Sequence, residues 1–241
     1  AYLKLPTGDH SRNLQNAIAA FETALKIYTE KEFPADWAMT QNNLGAAYAD
    51  LPSGDQSANL QKAIAAYVAA LRVRTEKDFP LDWAVTQNNL GGVYWALPDG
   101  DPNENLQKAI AAYEAALRVR TEKDFPLKWA MTQNNLGIAY ASLTTGDRTE
   151  NLQKTIAAFD GALRVFTKEN FPSEWASTQN NLGNAYVDLS ANDHKLNLRK
   201  AIAYFENALQ VWTADAFPEE HKMAVQNLED ARGQLQKPAK K

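Results

Sequence analysis

The sequence predicts an all-α fold, a solenoid of antiparallel two-helix repeats with a period of 46 residues. The first observation is a twelve-residue segment, WAMTQNNLGAAY in its first copy, which has four similar copies that begin at Trp37, Trp83, Trp129 and Trp175. An asparagine and a phenylalanine recur at the same spacing from Asn13 and Phe33 onwards, without an insertion. Within each copy the apolar residues follow helical spacing. Repeats of about 20 to 50 residues indicate stacked supersecondary units.

Helix A, the first helix of each repeat, is predicted to begin at a Phe-Pro pair. Pro34 suits the first helical position because its φ is fixed and it has no N–H to leave unsatisfied. Apolar residues then recur on one side of the helix: Trp37, Leu44, Tyr48 and Leu51. This spacing is typical of an amphipathic helix.

Helix B is predicted to follow a polar turn, LPSGDQSAN in one copy, whose last residue Asn59 is a favourable N-cap. Its apolar stripe is rich in alanine, which permits close helix packing: Leu60, Ala63, Ile64, Tyr67, Ala70 and Leu71. Phe79–Pro80 should end helix B, because a residue before proline is disfavoured in the α region. One helix pair cannot bury both apolar faces, so the pairs must stack.

The repeated residues resemble the pattern of tetratricopeptide repeats. The match comprises Leu44, Gly45 and Tyr48 in helix A, and Ala63, Tyr67 and Ala70 in helix B. Three further copies repeat it, so the resemblance covers essentially the whole chain. The long turn and long helix B are most similar to the kinesin-light-chain-like branch. The resemblance implies a right-handed superhelix with helix A on the concave face.

We expect a single solenoid domain over residues 1–241. It would contain a partial repeat at 1–32, a cap helix at about 219–236, a basic tail at 237–241 and four helix pairs at about 35–78, 81–124, 127–170 and 173–216. In the cap helix His221, Glu229 and Arg232 replace the repeated Trp, Gly and Tyr, which predicts a polar end. Residues 2–13 align with 48–59, so we expect a piece of a longer protein.

The predicted binding site is a stripe of helix A that begins with Met39, Asn43, Ala46 and Asp50. The asparagine is the same in every copy, whereas its neighbours vary. Fixed amides would bind the main chain of an extended partner, and the variable neighbours would contact its side chains. The resemblance implies this role for Asn43, Asn89, Asn135 and Asn181. In the alternative interpretation, the asparagines recur only because the repeats were duplicated recently. One asparagine of each Asn-Asn pair would then form a hydrogen bond with a neighbouring helix.

Other helix A residues are further candidates for contact with a peptide. Asn42, Asn88 and Asn134 are weaker ones, and Met39, Met131 and Ile138 occupy variable positions of the stripe. Trp95 stands where other copies have alanine or valine. If Trp95 is exposed beside the groove, it would be a strong anchor for a partner. In the alternative interpretation, Trp95 packs on the long turn. Phe79 and Trp83 are expected to pack between repeats.

Composition argues against several classes of partner. The net charge of −4 makes nucleic acid an unfavourable partner, since affinity for phosphates requires clustered Lys and Arg. No apolar run approaches the roughly 18 residues of a membrane span. The chain has no cysteine, which excludes disulfides and thiolate metal sites. We expect a cytoplasmic protein with no membrane contact.

Catalysis has little support in the sequence. His10, His194 and His221 are isolated, and no nucleophile or paired carboxylate recurs. The repeated Gly-Asp turn lacks the ligands of a calcium loop, so we expect no metal and no cofactor. The segment RVRTEKD of helix B alternates in charge, which indicates a solvated convex face.

The sequence therefore predicts a non-catalytic protein-interaction scaffold that holds a peptide or partner segment along its concave face. The alternative is structural: copies of the chain would stack end to end through their unpaired terminal helices.

Overall fold

The computed structural model describes residues 10–189 and 193–236, in which all regular structure is α-helical. The helices of these residues are α1 His10–Ala24, α2 Pro34–Ala49, α3 Gln56–Leu71, α4 Pro80–Ala96, α5 Pro102–Leu117, α6 Pro126–Ser142, α7 Arg148–Leu163, α8 Pro172–Asp188, α9 His194–Ala208 and α10 Pro218–Gln236. The predicted fold class, a helical-repeat solenoid, is confirmed. The predicted basic tail at 237–241 and the start of the partial repeat lie outside the described residues.

The chain divides into two compact units, Ala1–Thr121 and Glu122–Lys241. The first contains α1 to α5 and the second contains α6 to α10. Even-numbered helices are helix A of each repeat and odd-numbered helices are helix B. Within each unit every helix A packs extensively on the helix B that follows it, and successive A helices also touch. The single domain over the whole chain stays a prediction.

Helix B begins at an aspartate in each repeat. Asp55 caps α3, because its carboxylate accepts a hydrogen bond from the Ala58 amide at 3.1 Å. A carboxylate at this end also interacts favourably with the helix dipole. The prediction that Asn59 is the N-cap was wrong, since Asn59 lies inside α3. Its Nδ2 donates to the Ser53 carbonyl at 2.9 Å and fastens the turn to the helix.

Helix B ends earlier than the sequence predicts. Helix α3 ends at Leu71, and turns follow up to Phe79. Within these turns the hydroxyl of Thr75 accepts a hydrogen bond from the Asp78 amide at 3.0 Å and so closes a local turn. Threonine offers the backbone such a bond in competition with the helix. The Phe-Pro pair therefore marks the start of the next helix A only.

Each unit has its core between successive helices. In the first unit, Tyr67 of α3 is buried with Leu90 and Val93 of α4. In the second unit, Phe205 of α9 packs with Leu228 of α10 in the same way. Burial of a side chain of this size stabilises a fold by about 1.5 to 3 kcal/mol. Within each unit, a helix B therefore depends on the helix A that follows it, as expected for stacked repeats.

Candidate functional site: the helix-A face

The helix-A face is the exposed side of the A helices, formed by α2 and α4 in the first unit and by α6, α8 and α10 in the second. Helical geometry aligns Met39, Asn43, Ala46 and Asp50 along α2, because residues three and four apart lie on the same side. Met39 is 46% exposed and Met131, at the same position of α6, is 51% exposed. Apolar side chains half exposed at repeated positions are available to a partner.

The asparagines expected to bind a main chain are partly exposed in every copy: Asn43, Asn89, Asn135 and Asn181. Asn89 also has a partner within the protein, because its side chain is hydrogen-bonded to the hydroxyl of Tyr67. Burial, with a smaller contribution from the charge of Asp50, raises the pKa of Tyr67 above its usual value. Tyr67 therefore stays protonated near neutral pH. At the position equivalent to Tyr67 next to Asn181, the chain has Phe159, which offers no hydroxyl.

The preceding asparagine is buried in two of the four pairs, at Asn42 and Asn180, and partly exposed at Asn88 and Asn134. Asn42 is buried, and its Oδ1 is 3.0 Å from the hydroxyl of Thr86 on α4. Asn134 of α6 accepts a hydrogen bond from Thr178 of α8 at 3.2 Å. The contacts of Asn42 and Asn134 join successive A helices, as buried amides commonly do. We therefore assign Asn42 a packing role beneath the helix-A face, whereas Asn134 both joins two A helices and stays partly exposed.

The other candidates differ in exposure. Trp95 is 49% exposed at the end of α4, so it offers apolar surface at the edge of the helix-A face. Ile138 is partly buried. Trp83 is buried against Ala115 and Leu71, which belong to different repeats, whereas Phe79 keeps more than a third of its surface exposed.

A pocket of about 200 Å³ opens between α2 and α4 in the first unit. Its lining includes Met39, Phe79, Asp82 and Arg74, which follows α3. The Arg74 guanidinium donates to Thr86 Oγ1 at 3.0 Å and lies 3.6 Å from the Asp82 carboxylate. Burial lowers the pKa of Arg74, and the charge of Asp82 partly offsets this effect. The pocket thus contains its own cation and counter-ion.

The second unit has a pocket at the equivalent place, with a volume of about 290 Å³. Its lining residues are Met131, Asn134, Asn135, Phe166, Ser173, Glu174 and Ser177. Met131 corresponds to Met39, Phe166 to Arg74 and Glu174 to Asp82, each 92 residues apart. The volume is near the lower limit for small-molecule sites, about 300 Å³, which suits a single long side chain.

Arg74 and Phe166 line the two pockets but were not predicted as site residues from the sequence. Arg74 belongs to the segment RVRTEKD, which was predicted to be solvated, yet it is only 7% exposed. The prediction was wrong for this residue because an aspartate and a threonine of the next helix A pair with the guanidinium. A signal was present in the sequence, because three of the four equivalent positions have aromatic residues, Tyr28, Phe166 and Trp212; the fourth is Arg120, which is also 7% exposed.

The three histidines form no cluster. His10 and His194 are exposed, and His221 Nδ1 lies 2.8 Å from the Trp212 carbonyl. In the described ranges no group of three or more His, Asp or Glu side chains is placed to hold a metal ion. None of the helices in these ranges combines the length and apolarity needed to span a membrane.

The helix pairs place the chain in the class of helical-repeat proteins. A comparison with protein-family models finds no match, and neither does a comparison with curated proteins. Among solved structures, the chain is similar to BtubC (BKLC) from P. vanneervenii. The similarity has a TM-score of 0.53 and 18% sequence identity, and it covers 95% of this chain and 94% of that chain. At this identity the similarity shows the fold alone, which is that of a helical-repeat solenoid.

Proposed function

We propose that the protein is a non-catalytic interaction scaffold, built from tetratricopeptide repeats of the long type, that binds an extended peptide on the helix-A face. The observation that supports this most directly is the pair of pockets at repeat-equivalent places, each beside a half-exposed methionine, Met39 or Met131. A peptide would place side chains in such pockets. The partly exposed asparagines would bind its backbone, since an amide both donates and accepts.

The charges of the A helices favour a particular kind of peptide. Helices α2, α4 and α8 contain acidic residues and no lysine or arginine, whereas α6 has Lys128 and no acidic residue. Asp36, Asp82 and Glu174 are exposed in their first turns. Complementary charge accelerates association and selects among partners. The preferred peptide therefore combines apolar side chains with basic ones.

The proposal is tested with peptides selected from a random display library on the immobilised protein. The variant Met39→Gln with Met131→Gln is expected to weaken binding of the selected peptides at least about tenfold, the loss typical of an interface residue that contributes more than 1 kcal/mol. The matched control is Val68→Gln with Leu196→Gln. These residues are 48% and 45% exposed on helices α3 and α9. Equal effects of the two double variants would contradict binding on the helix-A face.

The alternative function, end-to-end association of copies, stays a prediction. The last helix has polar substitutions, and one of them is satisfied internally, since Arg232 pairs with Glu206 of α9 at 2.6 Å. Sedimentation over a concentration series separates the alternatives. A chain that remains monomeric throughout would exclude association as its function.

A further inference from the structure

The pocket of the second unit differs from its equivalent in charge. In the first unit, Asp82 lies 3.6 Å from the guanidinium of Arg74. In the second unit, Glu174 keeps the acidic position but Phe166 replaces the arginine. Within the described part of the chain the Glu174 carboxylate has no ion pair or hydrogen bond. One pocket is therefore neutralised internally, whereas the other presents an unneutralised carboxylate.

The same pocket is also more polar at its opening. Ser173 and Ser177 line it, where the first unit has Leu81 and Val85. The hydroxyls of both serines and the amide oxygen of Asn135 are acceptors for a donor that enters the pocket. An acidic group surrounded by acceptors binds a cation and rejects an anion. The site has one carboxylate only, which is too few for a divalent metal ion that takes 6 to 8 oxygen ligands, as Ca²⁺ does.

Apolar groups complete the complementarity to a long basic side chain. Met131, which is half exposed, and Phe166 supply a lining for a methylene stem. Lysine and arginine bury such stems while the charged head group reaches polar neighbours. Phe166 is itself only 2% exposed, so it forms the apolar floor of the pocket.

We propose that this pocket binds an arginine or lysine side chain of the partner peptide, with Glu174 as its counter-ion. The inference rests on the proposed function, because the basic residue belongs to the peptide on the helix-A face. The protein itself contains the model for this contact: in the first unit Arg74 occupies the corresponding place beside Asp82 and Thr86. The second unit has Phe166 where the first unit has Arg74, so the basic residue of the partner supplies the positive charge that this pocket lacks.

The chain offers a direct probe, since it has three methionines and each occupies the same position of a helix A: Met39, Met131 and Met223. Protein labelled with ¹³C in the methionine methyl groups is titrated with N-acetyl-arginine-N-methylamide, and with the citrulline analogue as a neutral control of the same shape. The Met131 methyl resonance is expected to move in a saturable manner that weakens with salt. The Met39 resonance should move much less, because Asp82, the acidic group of its pocket, is already paired with Arg74.

Two variants test the role of the charge. Glu174→Gln replaces an exposed side chain and is expected to lower the affinity for the arginine probe at least about fivefold, whereas binding of the citrulline analogue is unchanged. Ser177→Val, which introduces the residue of the first unit, should lower the affinity less. Thermal melts show that both variants fold. An arginine response equal to that of citrulline, or an undiminished response of Glu174→Gln, would overturn the proposal.

The experiment also separates this inference from the proposed function. If selected peptides without basic residues move the methionine resonances while the arginine probe does not, the scaffold function stands and the basic pocket is wrong. If neither moves them, both are wrong. If the Met131 resonance changes only when residues 237–241 are deleted, the occupant is the chain's own basic tail, and the proposal of a partner residue is overturned.

Discussion

Gly45 of α2 lies directly against the ring of Tyr67 on α3. A Cβ atom at residue 45 would be 2.9 Å from two ring carbons of Tyr67, closer than real Cβ contacts allow. The three later repeats have the same arrangement, with distances of 2.8 Å for Gly91 and 2.7 Å for Gly137, and with Gly183 against the ring of Phe205. The repeated Leu-Gly pair therefore exists because the aromatic ring of helix B needs the space of a missing side chain.

A matched pair of glycines tests this packing. Gly91→Ala is expected to destabilise the protein by about 1 to 3 kcal/mol, because the added methyl overlaps the ring of Tyr113. Gly92→Ala introduces the same methyl one residue later, where the nearest atom is 3.7 Å away, and should stabilise the helix by up to about 1 kcal/mol. Urea unfolding of both variants gives the difference. Equal stabilities would show that the ring moves aside at little cost.

The asparagines of the helix-A face should differ in their structural role. Asn89→Ala removes the partner of the buried Tyr67 hydroxyl and is expected to cost about 1 kcal/mol of unfolding free energy. Asn181 lies beside Phe159, which has no hydroxyl. Asn181→Ala should therefore lower the unfolding free energy less, within about 0.5 kcal/mol. Chemical denaturation measures both. A loss for Asn181→Ala as large as that for Asn89→Ala would show that the repeated amide has a structural role beyond the tyrosine bond.

Much of the architecture could be predicted because it depends on local rules. The period of 46 residues and the stripes of apolar residues define helix pairs, and helical geometry decides which residues share a side with Met39. The end of helix B at Leu71 could not be predicted from the proline signal. The segment between Leu71 and Phe79 contains local hydrogen bonds that compete with a helix, such as that of Thr75 with the Asp78 amide, and propensity does not decide such a competition.

The burial of Arg74 illustrates what pattern analysis cannot provide. Its neighbours in sequence alternate in charge, as on a solvated surface, and its burial depends on Asp82 and Thr86 of another helix. A charge is buried only when such partners are in place. The difference between the two pockets likewise depends on tertiary contacts, since Asp82 pairs with Arg74 whereas Glu174 has no such partner within the described residues.

The stability of the protein should fall at high pH because of its tyrosines. Burial, followed by the hydrogen bond to Glu22 and the charge of Glu22, raises the pKa of Tyr48 from 10.0 to about 12. The folded state thus favours the protonated form, and this contribution is complete below pH 10 and is lost as the pH rises toward 12. Burial also raises the pKa of Tyr113, so this residue contributes to the same loss of stability at high pH.

Urea midpoints measured on both sides of pH 10 check this expectation. The midpoint should decrease steadily above that pH, and Tyr48→Phe should make the decrease shallower, because one ionisable group is removed. The absorbance of tyrosinate in the folded protein reports the ionisation directly. A midpoint that stays constant while the unfolded chain ionises would contradict the raised pKa of Tyr48.

Arg118 should stabilise its repeat mainly through an aromatic contact. Its guanidinium donates to both oxygens of Glu76, at 2.9 and 2.8 Å, and lies 5.0 Å from the centre of the Trp83 ring. Because the ion pair is exposed, it contributes little, whereas an exposed cation–π contact contributes about 0.5 to 1 kcal/mol. Arg118→Gln should therefore lower the unfolding free energy by about 1 kcal/mol.

The two contributions of Arg118 can be separated with salt. Glu76→Gln keeps the contact with Trp83, so it should have a smaller effect than Arg118→Gln, and its effect should vanish at high salt because the charges are screened. The fourth repeat provides a control, since Lys168 there donates to the neutral Gln210 at 2.9 Å. Gln210→Ala should show no dependence of its effect on salt. If the effect of Glu76→Gln exceeds that of Arg118→Gln at every salt concentration, the ion pair is the main interaction and the aromatic contact is secondary.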